Sequence, residues 1–300
     1  MVQYLSPGNF SDYELIDSGG FDKLEQFGGY IIARPEPQAV WDKALPEKEW
    51  LESTGAYFRK EKDSKPDKPD NNEKGNWELK KNMPGQWFVG YDCKGTILKF
   101  RLGLTAFKHV GIFPEQAENW DYIYDCVTKT GATECKVLNL FAYTGGASLA
   151  ARAAGAEITH VDSVKQVVTW ARENMEASGL ENIRWIIEDA AKFVQREVKR
   201  GKKYNGIILD PPAYGRGPEG EKWILEKSLP GLMKLCKQLL DEENAFLVLN
   251  LYSMGFSPLV AESILNSVFG KNIVVECGEL FVTDRSARKL PLGVFARFCK

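Results

Sequence analysis

Four short runs of this sequence carry side chains suited to holding or attacking a ligand, and each follows an apolar stretch. Phe141-Ala142-Tyr143-Thr144-Gly145-Gly146-Ala147-Ser148 is a glycine turn entering a small-residue helix. Its glycines are adjacent, so it is not the Gly-x-Gly-x-x-Gly of dinucleotide sites, and no Gly-Lys-Ser/Thr follows, so it is not a phosphate loop. What remains is a backbone that a ligand can approach closely, at a helix start suited to a carboxylate. Asp162 ends the next apolar run, about twenty residues on, where an acid can accept from both hydroxyls of a ribose or cap the following helix. Glu188-Asp189-Ala190 places a carboxylate where an exocyclic amine is read, again with a helix cap as the alternative. The fourth run is Asp210-Pro211-Pro212-Ala213-Tyr214-Gly215, whose two prolines hold the backbone extended and supply no donors, so that carbonyls face the ligand.

Other chemistries are poorly served. The two histidines, His109 and His160, are far apart in sequence, which argues against a histidine zinc site and leaves few histidine acid/base candidates. The six cysteines, at 93, 126, 135, 236, 277 and 299, contain no Cys-x-x-Cys pair, so neither a zinc ribbon nor a disulfide framework is expected, and no metal is. A formal net charge of −2 excludes a globally basic polyanion-coating protein and leaves only local basic patches. Residues 1–20 carry Asp12, Glu14 and Asp17 without a basic-then-apolar leader, and no run approaches the length of a membrane span. The expectation is a cytoplasmic protein with reduced, mostly buried thiols and no membrane association.

The chain from Val137 alternates strand and helix: strands at 137–141, 158–162, 183–187, 204–210 and 245–251, and helices at 147–154, 164–178, 190–200, about 222–240 and 257–269. That order predicts an α/β fold with a parallel sheet covered on both faces. Two extended runs, 273–282 and 292–298, have no helix between them and predict an antiparallel edge hairpin. Upstream, residues 13–107 are rich in turns and aromatics, with short strands such as Tyr30–Ala33 and Trp87–Tyr91. Residues 59–81 hold eight basic and six acidic side chains and two prolines, an exposed loop whose acids blunt any role as a basic arm.

Together the four stations resemble the class I S-adenosylmethionine-dependent methyltransferases, and within them the group that modifies large-subunit ribosomal RNA. Gly111-Ile112-Phe113-Pro114-Glu115-Gln116 before the fold and Leu290-Pro291-Leu292-Gly293 at its close extend the resemblance over roughly residues 105–300. It implies a Rossmann-like seven-stranded sheet over 108–300, joined to a small β-rich N-terminal domain, 1–107, concerned with the substrate. It also implies Asn139, Phe141, Tyr143, Thr144 and Gly145 around the methionine part of the cofactor, and Asp162 on the ribose with Ser163 adjoining. Asp189 and Ala190 would lie beside the adenine, Asp210 near the methionine amino group, and Gln116 would close over the cofactor.

Two acceptor chemistries occur among such relatives. Methylation of cytosine C5 needs a thiolate that adds to the ring, and in the relatives that do it the cysteine follows the fourth or fifth strand. Neither Asp210–Tyr214 nor Asn250–Gly255 contains one here, and Cys236 falls inside an intervening helix as a core residue. Transfer to a base nitrogen is therefore favoured, with Asp210, Pro211, Pro212 and Tyr214 as the catalytic set: a proline carbonyl accepts from the acceptor amine and Tyr214 stacks on the base or packs as a lid. Arg216, Lys222, Arg285, Arg288 and Lys289 flank the same strand ends as candidate phosphate contacts. Rival readings are a small-molecule or protein methyltransferase, an inactive RNA-associated protein that keeps the cofactor pocket and, more distantly, a dehydrogenase.

Overall fold

The computed structural model describes residues 1–60, 74–131, 135–252, 255–270 and 273–300. The chain opens with β1 (Gln3–Leu5), then folds β2 (Tyr13–Gly19), β3 (Asp22–Phe27), β4 (Tyr30–Pro35), α1 (Glu47–Ser53), β5 (Ala56–Lys60) and β6 (Gly75–Leu79). The strands β2 to β6 form one five-stranded sheet in sequence order. A hairpin follows, β7 (Gln86–Cys93) with β8 (Thr96–Gly103), and a 3-10 turn at Pro114–Gln116 leads into α2 (Ala117–Thr130).

The alternation then runs β9 (Lys136–Leu140), α3 (Gly146–Ala153), β10 (Glu157–Asp162), α4 (Lys165–Ala177), β11 (Ile183–Ile187), α5 (Ala190–Lys199) and β12 (Gly206–Leu209). A short hairpin, β13 (Tyr214–Arg216) with β14 (Lys222–Ile224), precedes α6 (Leu225–Leu239), β15 (Phe246–Leu251), α7 (Pro258–Phe269), β16 (Glu276–Thr283) and β17 (Lys289–Cys299). The principal sheet has the order β1-β16-β17-β15-β12-β9-β10-β11. β9 to β12 and β15 are mutually parallel, and β17 is antiparallel to both of its neighbours. Its central strands read as unbroken apolar runs because helices cover both faces: Phe246, Leu247, Val248 and Leu249 are fully buried, each worth ~1.5–3 kcal/mol of apolar transfer. The order reverses between β9 and β12, the switch point above which a ligand binds.

The seven expected strands are present, and an eighth, β1, pairs parallel to β16 outside the hairpin, so the hairpin is one place in from the edge. The sequence does not announce β1, because three residues of strand carry no readable period. The helix expected from about Lys222 begins at Leu225, since Lys222 and Trp223 pair with Arg216 and Gly215 instead. Within the stretch read as an exposed loop, Gly75–Leu79 is strand β6, paired antiparallel to β5, while residues 61–73 lie outside the described residues. The helix α2 was not anticipated: its buried face of Ala117, Trp120, Ile123 and Val127 has helical spacing, but Glu118, Asp121 and Asp125 interrupt it in sequence.

The aromatic N-terminal residues share one core with the α/β layer. Phe100 of β8 stacks on Trp120 of α2 at 5.1 Å, in the same apolar cluster as Val137, Leu149 and Val248. Two polar seams reinforce it. Along β8, the Lys99 and Arg101 amides donate to Ser178 Oγ and Asn174 Oδ1, both at 2.8 Å, and Trp170 Nε1 donates to the Arg101 carbonyl at 2.7 Å. At the turn after β16, Ser18 Oγ donates to Asp284 at 2.9 Å, and Arg288 bonds Asp284 and the buried Asp17.

Candidate functional site

A cleft lies above the carboxyl ends of β9, β12 and β15, between the glycine turn and the segment 112–120 that precedes and opens α2. Its enclosed volume is about 50 Å³, a narrow slot between the turn and that segment. The turn between β9 and α3 is its floor, and the backbone there is unusual. Phe141 and Tyr143, neither of them glycine, take φ of 55° and 47°, and Gly145 takes 92°. Left-handed backbone costs a non-glycine residue ~1–2 kcal/mol, and it persists where the surroundings fix it.

Here the surroundings do. The Tyr143 amide donates to Asp162 Oδ2 at 3.0 Å, and the Ala142 amide to the Val161 carbonyl at 3.1 Å. Thr144 Oγ1 donates to the Gly111 carbonyl at 2.6 Å, and Asn174 Nδ2 to the Thr144 carbonyl at 2.9 Å. The adjacent glycines have separate reasons. Gly145 supplies the positive φ, whereas a Cβ on Gly146 would lie 2.6 Å from the Trp120 indole, which forms a wall of the cleft. The close approach anticipated at this glycine pair is therefore made, at Gly146, by the protein's own tryptophan.

Two features give the cleft its charge preference. No side chain caps Gly145, so the first-turn amides of α3 present donors to an anion. Across from them, Asp210 at the end of β12 has no hydrogen-bond or ion-pair partner among the described residues, and burial without compensation pushes its carboxyl up to about 7. An anion seat facing an orphaned carboxylate fits a zwitterion, the head of an α-amino acid carrying an ammonium and a carboxylate. An S-adenosylmethionine-type ligand has that head, so the residues present fit it.

Further polar groups are held in place from behind. Arg297 donates to Asn119 Oδ1 at 2.9 Å, and Asn119 Nδ2 donates to Asn250 Oδ1 at 2.8 Å and to Gln116 Oε1 at 3.1 Å. That fixes both amides and leaves their nitrogens as donors toward the cleft. Asn139 Nδ2 donates to Ser148 Oγ at 2.9 Å, which in turn meets His160 Nδ1 at 3.0 Å. Burial drives His160 down to about 3, so it stays neutral and serves as a fixed post.

Of the residues anticipated from sequence, Gln116, Asn139, Phe141, Tyr143, Thr144, Gly145 and Asp210 line this cleft. Asp162 and Ser163 lie at the end of β10 beside it. Asp162 accepts from the Tyr143 and Val164 amides and is nevertheless pushed up by burial, so at minimum it braces the turn. Asp189 caps α5 by accepting from the Lys192 amide at 2.9 Å, and Ala190 is buried behind it. The exposed Ile187 precedes them at the end of β11 and offers an apolar flank for a flat ring. Pro211, Pro212 and Tyr214 follow Asp210 just outside the cleft lining. The Pro212 carbonyl already accepts from Trp223 Nε1 at 2.7 Å, so the proline carbonyl without a donor among the described residues is that of Pro211.

No cysteine lines the cleft among the described residues, and Cys236 is a core residue whose thiol burial pushes up to about 12. Of the basic residues, Arg285 is bidentate to Glu14, Arg288 is committed to Asp17 and Asp284, and Lys289 lies 4.9 Å from the Phe281 ring centre. Arg216 and Lys222 are exposed on the β13–β14 hairpin. Sequence reading missed Trp120, which depended on seeing α2. It also missed Asn250, whose signal was available: one amide in the otherwise apolar strand FLVLNL. Among the described residues no cluster could hold a metal ion, and no helix is long and apolar enough to cross a membrane.

A family profile described as "Conserved hypothetical protein 95" matches residues 108–248. A solved SAM-dependent methyltransferase from Agrobacterium tumefaciens is 38% identical, with a TM-score of 0.89, covering 99% of this chain and 93% of that one. A second solved chain, a complex with SAH, shares the fold at 17% identity and a TM-score of 0.72, covering 97% of this chain and 76% of that one. Among curated proteins, the ribosomal RNA large subunit methyltransferase K/L of Shewanella frigidimarina is 32% identical over 143 residues, 46% of this chain and 19% of its own length. The ribosomal RNA large subunit methyltransferase I of Aeromonas salmonicida is 38% identical over 82 residues, 26% of this chain and 21% of its own. The chain thus spans about a fifth of the length of these curated relatives.

Proposed function

The chain belongs to the S-adenosylmethionine-dependent methyltransferases, and from that premise we propose that it binds S-adenosylmethionine in the cleft and methylates RNA in the cytoplasm, with large-subunit ribosomal RNA as substrate and a base nitrogen as acceptor. The observation that carries the cofactor assignment is the uncapped start of α3 facing the orphaned Asp210. When bound, the cofactor supplies an electrophilic methyl group on a cationic sulfur. The chain's own residues bind and orient. The α3 amides take the carboxylate, Asp210 takes the ammonium, Asn139, Gln116 and Asn250 offer amide groups, and Asp162 stands at the end of β10 for the ribose. Asp210 in the lining and Asp162 beside it suit a cationic ligand electrostatically.

The choice of RNA rests on the names of the curated relatives and that of nitrogen on the thiol-free cleft, since a ring nitrogen or amine attacks directly once positioned whereas cytosine C5 needs a nucleophile first. The Pro211 carbonyl accepts an N–H of the acceptor and Tyr214 stacks on its ring. Tritium transfer from labelled cofactor into total RNA tests the reading. Wild-type protein should label RNA, and Asp210→Ala should abolish labelling while circular dichroism stays native. A fully active Asp210→Ala variant would overturn the assignment, and labelling confined to metabolites or protein would overturn the substrate. Nucleoside mass spectrometry of RNA from cells with and without the protein then names the base and atom.

A further inference from the structure

The donor and acceptor pattern of the cofactor cleft is set from outside it. Arg297 of β17 is 7% exposed and lies beyond the cleft lining. Its guanidinium is held on three sides: Nε meets Glu276 at 3.2 Å, and the group stands 4.0 Å from the Tyr122 ring centre and 4.7 Å from that of Phe295. A guanidinium only donates, and in a protein it does not lose its proton. The Asn119 oxygen therefore faces Arg297, at 2.9 Å, and its Nδ2 faces the other way. There it donates to Asn250 Oδ1 at 2.8 Å and to Gln116 Oε1 at 3.1 Å.

With both of those oxygens taken by Asn119, Gln116 Nε2 and Asn250 Nδ2 are the ends left for the cleft, and neither has a protein partner among the described residues. Asn250 is 5% exposed, and a donor so deep needs an acceptor. Asn139 does the opposite, since its nitrogen is committed to Ser148 and it offers an oxygen. On an S-adenosylmethionine-type ligand the ammonium and sulfonium cannot accept, and ribose and adenine belong at the ends of β10 and β11, on the far side of β9 from β15. That leaves the carboxylate. Its seat is the start of α3, and Trp120, one turn on from Gln116, packs against Gly146 there.

We propose that Asn119 is a positioning residue that makes Gln116 and Asn250 a donor pair for the cofactor carboxylate, with Arg297 fixing its direction, so that the site selects ligands bearing that carboxylate. This deepens the cofactor reading above and rests on it. Asn119→Asp keeps the size of the side chain and its bond to Arg297 but has no N–H to give. Gln116 and Asn250 then turn their nitrogens onto the new carboxylate and show their oxygens to the cleft.

Titration calorimetry reads dissociation constants for S-adenosylhomocysteine and for its decarboxylated counterpart, which keeps the amine, thioether, ribose and adenine. Asn119→Asp should lose about tenfold or more in affinity for the first ligand and hold the second within about twofold of wild type. A Gln116→Leu/Asn250→Leu variant should show the same selective loss, and adding Asn119→Asp to it should change neither affinity further, because no amide is left to turn. A charge acting through space would persist in that background, so a further loss there overturns the relay. Equal losses for both ligands in Asn119→Asp and in the double variant, or no loss for S-adenosylhomocysteine in either, overturn it as well and leave the cofactor reading standing. Wild-type protein that binds neither ligand overturns the cofactor reading itself.

Discussion

The most informative single residue is Asp210. A carboxyl raised to about 7 and lacking a partner penalises the fold whenever it is charged. Its folded pKa lies above the unfolded value, so the protein without ligand loses stability as pH climbs from ~4 and has lost the full amount above ~7. Asp210→Asn should therefore bind no cofactor yet melt higher than wild type at pH 8, by roughly 2 kcal/mol, with the difference gone at pH 4. Calorimetry across that range checks it, and equal melting at pH 8 would contradict the burial argument. Cofactor affinity should rise about tenfold per pH unit up to ~7, then level off until the ligand's own amine begins to deprotonate. Asp210, Asp162 and Asp189 were all legible in the sequence, because each ends or closely follows a strand that its apolar run reveals. Their burdens were not: only the folded chain shows Asp210 unpartnered, Asp162 bracing a turn and Asp189 capping a helix.

Among the elements, the β9–α3 turn concentrates the most constraint. Adding one methyl at Gly146 would push on the Trp120 indole, which is packed face to face with Phe100 and cannot retreat. Gly146→Ala should cost ~1–3 kcal/mol and weaken cofactor binding at least tenfold, because the wall of the cleft must move; titration calorimetry of the variant reads both the heat and the affinity. The alternating strands and helices from Val137 onward were readable because parallel strands buried on both faces are continuous apolar runs. The α2 helix and β1 were not, for opposite reasons: α2 spreads its core contacts among acids, and β1 is too short to show a period. Missing α2 hid Trp120, and with it the reason for the second glycine.

On the scale of the molecule, two arginines near the turn after β16 should behave very differently. Arg288 links the buried Asp17 to Asp284, whereas Arg285 meets Glu14 with both partners about half exposed. Arg288→Ala should cost about 3 kcal/mol in denaturant unfolding, since it leaves two buried carboxylates without their counter-charge, and Arg285→Ala less than ~1 kcal/mol. Similar losses in the two would deny the seam its role. The chain leaves the large sheet after β1, builds the N-terminal strands, and returns through α2, so those strands are fastened at both ends. A span resting on two piers has no free end to swing. The wall it presents to the cofactor cleft, at Phe100, is therefore a fixed jamb and not a door. A ligand entering past a fixed jamb waits for no wall to move, so in stopped-flow mixing the rate of cofactor association should rise in proportion to ligand concentration, and a plateau at high concentration would contradict it.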